Sequence, residues 1–160
     1  MAVFNLYIFN RQGVCIHYRE WSRPKDVKHG AGSVADDQKQ LFGLLWTMGN
    51  FCATMNPREM SKPQLGQPRR IGEGCSFKAF TTSTYKCHYL ELPTGTKFAL
   101  NTTREVGDLR DLLMMLNDLL VDRVIKAPTY EPGQPFQVRE FDLGVDAIMS
   151  QRSLLPAASA

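Results

Sequence analysis

Cys15, His17, Cys87 and His88 are the residues of this chain whose types could hold a metal ion. Thiolate sulfur and imidazole nitrogen are the usual ligands of zinc, and a structural site takes four of them in a tetrahedron. Both pairs fall in β-prone runs, so the alternation of strand side chains decides which of them converge. Cys15 and His17, two residues apart, are expected on one face, and Cys87 and His88, being adjacent, on opposite faces. At most three can then meet, and no metal is expected. The four cysteines, completed by Cys52 and Cys75, contain no Cys-x-x-Cys pair. The remaining histidine, His29, lies in a basic, glycine-rich stretch. Phosphate chemistry is no better served. Gly72-Glu73-Gly74 lacks the Lys-Ser/Thr and the following helix that a phosphate cradle needs. Serines and carboxylates are scattered, with neither a nucleophile elbow nor a pair of acids in a catalytic setting. An enzyme needs convergent reactive groups. None is visible, so no catalytic residue and no cofactor is expected, and the expected mode of action is binding.

Val3 to Phe9 is almost wholly apolar, Val14 to Trp21 is β-prone, and Asn10-Arg11-Gln12-Gly13 between them supplies a turn with a glycine free to take positive φ. This is a β-hairpin. A first strand apolar on both faces cannot lie at an open edge, so it is expected centrally in a sheet covered on both sides. Cys75 to Phe80, Thr84 to Leu92 and Lys97 to Asn101, with Pro93-Thr94-Gly95 as a turn, add three consecutive strands. The total is five, in a layered α+β domain.

At 160 residues the chain is long enough for one domain with a real core. One domain over 1–152 is expected, with flexible loops at 22–35 and 57–74 and a frayed tail at 153–160. The net charge of +3 is mild for a nucleic-acid binder. No apolar run reaches the ~18 residues of a membrane span. The first residues lack a basic n-region, so a reduced compartment with buried thiols is expected rather than secretion and disulfides. Asn101-Thr102-Thr103 matches a glycosylation sequon but would not meet that machinery there. The 22–35 loop, with Arg23, Lys25 and Lys28, is either a solvated connection or a contact for an acidic partner or membrane headgroup.

Asp36 and Asp37 offer an N-cap for a helix to about Met55, ended by Asn56-Pro57. Its expected core arc gathers Leu41, Leu44, Leu45, Met48, Phe51, Cys52 and Met55. A second apolar stripe, Phe42, Trp46, Gly49 and Ala53, stands to one side, where a single-faced helix would be polar. It is either a wide core face or a docking surface with Phe42 and Trp46 as anchors and Gly49 and Ala53 admitting a partner backbone. The helix expected over Gly107 to Lys126 repeats the pattern. Leu109, Leu112, Leu113, Leu116, Leu119, Leu120 and Val124 share one arc, while Met114, Val121 and Ile125 lie off it, as ordinary surface apolar residues or a second partner surface. A shorter closing helix is expected from Phe136 to about Met149.

Two blocks resemble a known family. One runs from Asn5-Leu6-Tyr7-Ile8-Phe9-Asn10-Arg11-Gln12-Gly13 through Val14-Cys15-Ile16-His17-Tyr18 to Glu20-Trp21. The other runs from Phe77-Lys78-Ala79-Phe80 through Tyr85-Lys86-Cys87-His88-Tyr89-Leu90-Glu91 and Pro93-Thr94-Gly95-Thr96-Lys97 to Asn101-Thr102, followed by Val106-Gly107 and Leu109-Arg110-Asp111. Together they resemble the small longin-type subunits of the TRAPP vesicle-tethering complex, of the subunit 1 family. The resemblance implies a longin-like (profilin-like) fold: a five-stranded antiparallel sheet with one helix on one face and two on the other. It implies a non-catalytic subunit that assembles with other small TRAPP subunits. The assembled complex would act as a nucleotide exchange factor for a Rab-family GTPase and tether vesicles in ER-to-Golgi transport. Such a chain would be cytoplasmic, peripherally associated with Golgi and endoplasmic reticulum membranes through the complex. Relative to compact family members, 63–74 and 30–33 look expanded. A small longin-type clathrin-adaptor subunit is the neighbouring alternative, against which the Thr-Gly turn and Phe-Lys-Ala-Phe block argue. An α+β nucleic-acid binder using Lys62, Arg69 and Arg70 is a second; modest charge and the absence of a basic-aromatic strand motif argue against it, and no nucleic-acid partner is expected.

Overall fold

The architecture was analysed in a computed structural model that describes residues 2–22, 34–57 and 76–155. Strands β1 (Val3–Phe9) and β2 (Cys15–Glu20) form the opening hairpin. Helix α1 (Val34–Thr54) follows, then β3 (Ala79–Thr81), β4 (Lys86–Glu91) and β5 (Lys97–Thr102) as a meander. Helix α2 (Arg110–Leu120) runs into a π-helical turn over Val121–Ile125, and α3 (Arg139–Gln151) closes the order. All pairings are antiparallel, and the strand order is β2-β1-β5-β4-β3. The apolar β1 therefore lies between two neighbours, as its composition requires.

Alternation along the strands divides the core into two layers. Leu6 and Ile8 of β1, Leu90 of β4 and Phe98 and Leu100 of β5 face α2 and α3, meeting Leu112, Leu113, Leu116, Phe141, Val145 and Met149. Tyr7, Phe9, Cys87, Tyr89 and Ala99 face the other way, toward Leu41, Phe42 and Leu45 of α1. One helix covers one face and two cover the other, the longin-like α+β arrangement.

Several local expectations are corrected. β3 is confined to Ala79–Thr81 rather than starting at Cys75, which lies outside the described residues. α2 starts at Arg110, not Gly107, where Asp108 Oδ1 accepts from the Arg110 amide at 3.1 Å and substitutes for an orphaned helical bond. α1 begins at Val34, which places Asp36 and Asp37 in its first turn, favourable to the helix dipole, rather than at the cap. Phe136 lies before α3 rather than in it, its amide donating to Ile16 O at 3.0 Å while its ring stacks on His17. The tail is tied down further than expected: Leu154 is buried and its carbonyl accepts from the Val3 amide at 3.1 Å.

A β-bulge marks the hairpin. Ile8 pairs with His17 but Phe9 pairs with Cys15, so Ile16 has no counterpart on β1. The turn itself is organised by Asn10, whose Oδ1 accepts from the amides of Gln12 (3.0 Å) and Val14 (2.9 Å) and whose Nδ2 donates to Gly133 O at 2.8 Å. Gly13 completes it at φ 87°, and a Cβ there would stand 2.6 Å from the Phe42 ring. Gly13→Ala is therefore expected to destabilise the fold by about 2–4 kcal/mol, combining left-handed strain with displacement of a packed ring. A urea unfolding midpoint shared with the parent chain would contradict this.

Candidate functional site

The residues that could have carried metal or thiol chemistry are separated by the sheet. The bulge at Ile16 undoes the expected sharing of a face by Cys15 and His17. Cys15 packs in the α1 layer, and His17 lies between the rings of Phe136 and Phe141 in the other layer, 5.0 Å from each. Cys87 and His88 also part, as adjacent strand residues must, and β1 and β5 stand between β2 and β4. Burial pushes the Cys15 thiol up to about 11 and the Cys87 thiol to about 12, so both stay protonated at neutral pH and are poor nucleophiles.

The two strand histidines have structural work. His88 Nε2 lies 3.1 Å from Thr102 Oγ1, with both residues buried. Burial depresses its pKa to about 4, with Lys86 adding to the effect and Asp108 opposing it. His17 faces Asp142 across 3.3 Å, and its pKa is also lowered, burial outweighing the favourable charge of Asp142. Beside it Arg19 forms a bidentate pair with Asp146, and Trp21 Nε1 donates to the same carboxylate at 2.7 Å. Asp142 and Asp146, one turn apart on α3, thus fasten that helix to the edge strand β2. Fork-shaped Arg–carboxylate geometry suits this holding role.

What remains unexplained by the fold is apolar surface on the helices. Leu45 alone is fully buried on α1. Phe42, expected on the partner stripe, packs inward: its ring lies 5.6 Å from that of Phe9, over the recess left by Gly13, and Lys97 Nζ approaches its face at 5.9 Å. Trp46 of the same stripe is 62% exposed, and Gly49 and Ala53 are half-buried. The expected core arc is overturned in part. Leu44, Phe51 and Met55 are exposed, the last two at 59% and 65%. At about 100° per residue these three fall within roughly 40° of one another, about 100° round the helix from Leu45; Trp46 and Ala53 stand about as far round on the other side. α1 therefore seats a narrow face on the sheet and shows an apolar flank to either side. The flank at Leu44, Phe51 and Met55 was missed because apolar residues encircle the helix, and the wheel does not say which arc meets the sheet.

On the opposite layer, Met114 and Ile125 are exposed and Val121 is half-buried; Met115 is exposed beside them. These stand outside the arc of Leu112, Leu113, Leu116 and Leu120 that fills the core. Lys62, Arg69 and Arg70 lie outside the described residues.

The fold and its surface are those of a layered α+β domain whose strand histidines, His17 and His88, and strand thiols, Cys15 and Cys87, pack within the two core layers, and whose large apolar side chains turn outward along α1. The chain belongs to the Sybindin-like family, whose model matches residues 3–152. It is 38% identical over 149 residues to trafficking protein particle complex subunit 1 of Bos taurus, covering 92% of this chain and 91% of that protein. The protein of the same name from Dictyostelium discoideum is 34% identical over 132 residues, 82% of each chain. Transport protein particle subunit bet5 of Schizosaccharomyces pombe is 24% identical over 145 residues, 84% of this chain and 83% of its own. The chain is thus a TRAPP-type complex subunit by family.

Proposed function

We propose that this protein is a non-catalytic building block of a TRAPP complex, joined to other small subunits of that complex through the exposed flanks of α1. The observation that carries the reading is the outward placement of Leu44, Trp46 and Phe51 on α1 and of Met55 in the turn that ends it. Large aromatic and sulfur-containing side chains held open to water cost hydrophobic free energy that a partner surface recovers, and tryptophan is the commonest anchor of such contacts. In this reading Gly49 and Ala53 allow close approach beside Trp46, and Met114, Val121 and Ile125 give α2 a second contact. The assembled complex promotes nucleotide release from a Rab-family GTPase and tethers vesicles in ER-to-Golgi transport, and the chain reaches Golgi and endoplasmic reticulum membranes only through it. Exchange factors act by binding the nucleotide-free GTPase preferentially, so a chain in which no reactive groups converge among the described residues suits the task.

The test is co-expression with the other small TRAPP subunits, followed by size-exclusion chromatography and a nucleotide-release assay. The chain should co-elute stoichiometrically with at least one neighbour, and the complex, not the isolated chain, should accelerate release. Exchange activity from the isolated chain would refute the assignment of its role.

A further inference from the structure

A second recess lies in the other layer, away from α1. Three tight turns converge at one end of the sheet: Gly13 at φ 87°, Gly95 at φ 89° and Gly133 at φ 86°. Between them and the end of α2 is a cleft of about 340 Å³ whose walls include Ile16, Leu120, Ile125, Tyr130 and Pro132, with Arg11 among the lining residues. The volume is at the small end for a metabolite site and suits one or two apolar side chains of a protein anchor.

The cleft is preformed. The Asn10 side chain clamps the β1–β2 turn to Gly133 O, and the Tyr130 hydroxyl donates to Gln134 O at 3.0 Å, holding the loop that forms the far wall. The π-helical turn sets the near wall. The Lys126 amide donates to Val121 O at 3.0 Å, spanning five residues, and this wider turn places Ile125 on the rim at 47% exposure. Such turns cost backbone energy and recur at functional positions. Ile125 also ends the outward row that begins at Met114, so the cleft continues the apolar surface of α2.

The charge at the cleft is specific. The Arg11 stem lies across Gly95, where a Cβ would meet its Cβ and Cγ at 2.8 Å. No carboxylate pairs with its guanidinium among the described residues. Asp122 is occupied by Lys126, and Glu131, in the wall loop, makes no ion pair with Arg11. Lys97, whose Nζ donates to Gly95 O at 3.2 Å, pairs with Glu91, and Lys126 pairs with Asp122; a single cation left without a carboxylate beside an apolar slot is too little for a nucleic-acid backbone or an anionic membrane, which call for clusters of basic residues. It suits a single carboxylate next to an apolar side chain, the pairing that fixes orientation while the slot supplies affinity.

We infer that this cleft is a docking site, separate from α1, for an acidic segment of a partner protein that inserts a leucine- or phenylalanine-sized side chain between Ile125, Leu120 and Tyr130 and sets a carboxylate against Arg11. The test uses the full chain labelled with 15N. The probes are capped hexapeptides bearing one leucine or phenylalanine flanked by glutamates, matched peptides with lysine for glutamate or serine for the apolar residue, and octanoate. Acidic apolar peptides should shift the amides of Arg11, Gln12, Ile125 and Gly133 saturably at millimolar concentration or below. Serine peptides should not. Arg11→Glu should weaken the acidic peptides about tenfold or more and strengthen the lysine peptides, with Arg11→Gln as the milder variant should the reversal disturb the turn. Equal binding of acidic and basic peptides, no saturable shift at the cleft, or response to octanoate alone would overturn the inference.

Discussion

Trp46→Ala is expected to weaken assembly with the neighbouring small TRAPP subunits by roughly 2 kcal/mol or more, about thirtyfold in Kd, and to leave the fold standing. Phe51→Glu does more. It sets a carboxylate in the middle of the opposite flank, where a dry interface would leave it unpaired, and co-purification should be lost. Both side chains are more than half exposed in the isolated chain, so neither change removes core packing and the thermal midpoint should move little. The pair also separates the two flanks. Loss with Trp46→Ala alone assigns the contact to the Trp46 and Ala53 side, and loss with Phe51→Glu alone assigns it to the Leu44, Phe51 and Met55 side. Unchanged co-elution of both variants would sink the proposal for α1.

Acid should unfold this protein through its histidines. In the unfolded chain His88 takes up a proton near pH 6.5, whereas in the fold it stays neutral down to about 4. Above pH 6.5 both states are neutral at this position and the stability is fully present. As the pH falls through that value the unfolded state alone is protonated, and stability drains away until about pH 4, by roughly 2–3 kcal/mol. His17 is depressed by burial too and adds in the same direction, moderated by Asp142. Urea unfolding at half-unit steps between pH 7 and 4 measures the slope. His88→Gln, which keeps a polar group beside Thr102, should flatten it; an unchanged slope would show that His88 does not titrate this way.

How far the sequence revealed the fold depends on the kind of pattern. The hairpin, the meander and α2 were legible because each rests on a strong local signal: a glycine turn between β-prone runs, Pro93-Thr94-Gly95, and leucines at helical spacing. The rotation of α1 was not legible. With Leu41, Phe42, Leu44, Leu45, Trp46, Met48 and Phe51 in eleven positions, several arcs of the helix would serve as a core, and the choice is made by the sheet. Phe42 fills the recess at Gly13 beside Phe9, and seating that ring turns Phe51 outward. The pattern leaves Trp46 open between a wide core face and a docking surface and puts Leu44, Phe51 and Met55 on the core arc; all four are exposed. The cleft at Arg11 escaped because its walls come from Ile16, Leu120 and Pro132, far apart in the chain and joined only by topology. The spacing of Phe136 to Phe141 and Val145 continues the α3 pattern and so suggests a helix from Phe136, although Val138 is still extended and the helix begins at Arg139.

The unpaired Ile16 has a consequence for how this hairpin can change. It acts as a half-step between two gears. The strand body is in phase with α3, presenting His17 to Phe136 and Phe141, while the residues beyond the bulge are in phase with α1, presenting Cys15 on the side of Phe9. Because Ile8 already pairs with His17 and Phe9 with Cys15, removing Ile16 would leave those pairs in register and straighten the bulge, at the cost of a buried side chain and of the carbonyl that accepts from the Phe136 amide. Position 16 is thus the one place in β2 where the strand can lose a residue without turning its neighbours to the other face, as a one-residue slip elsewhere in the strand would.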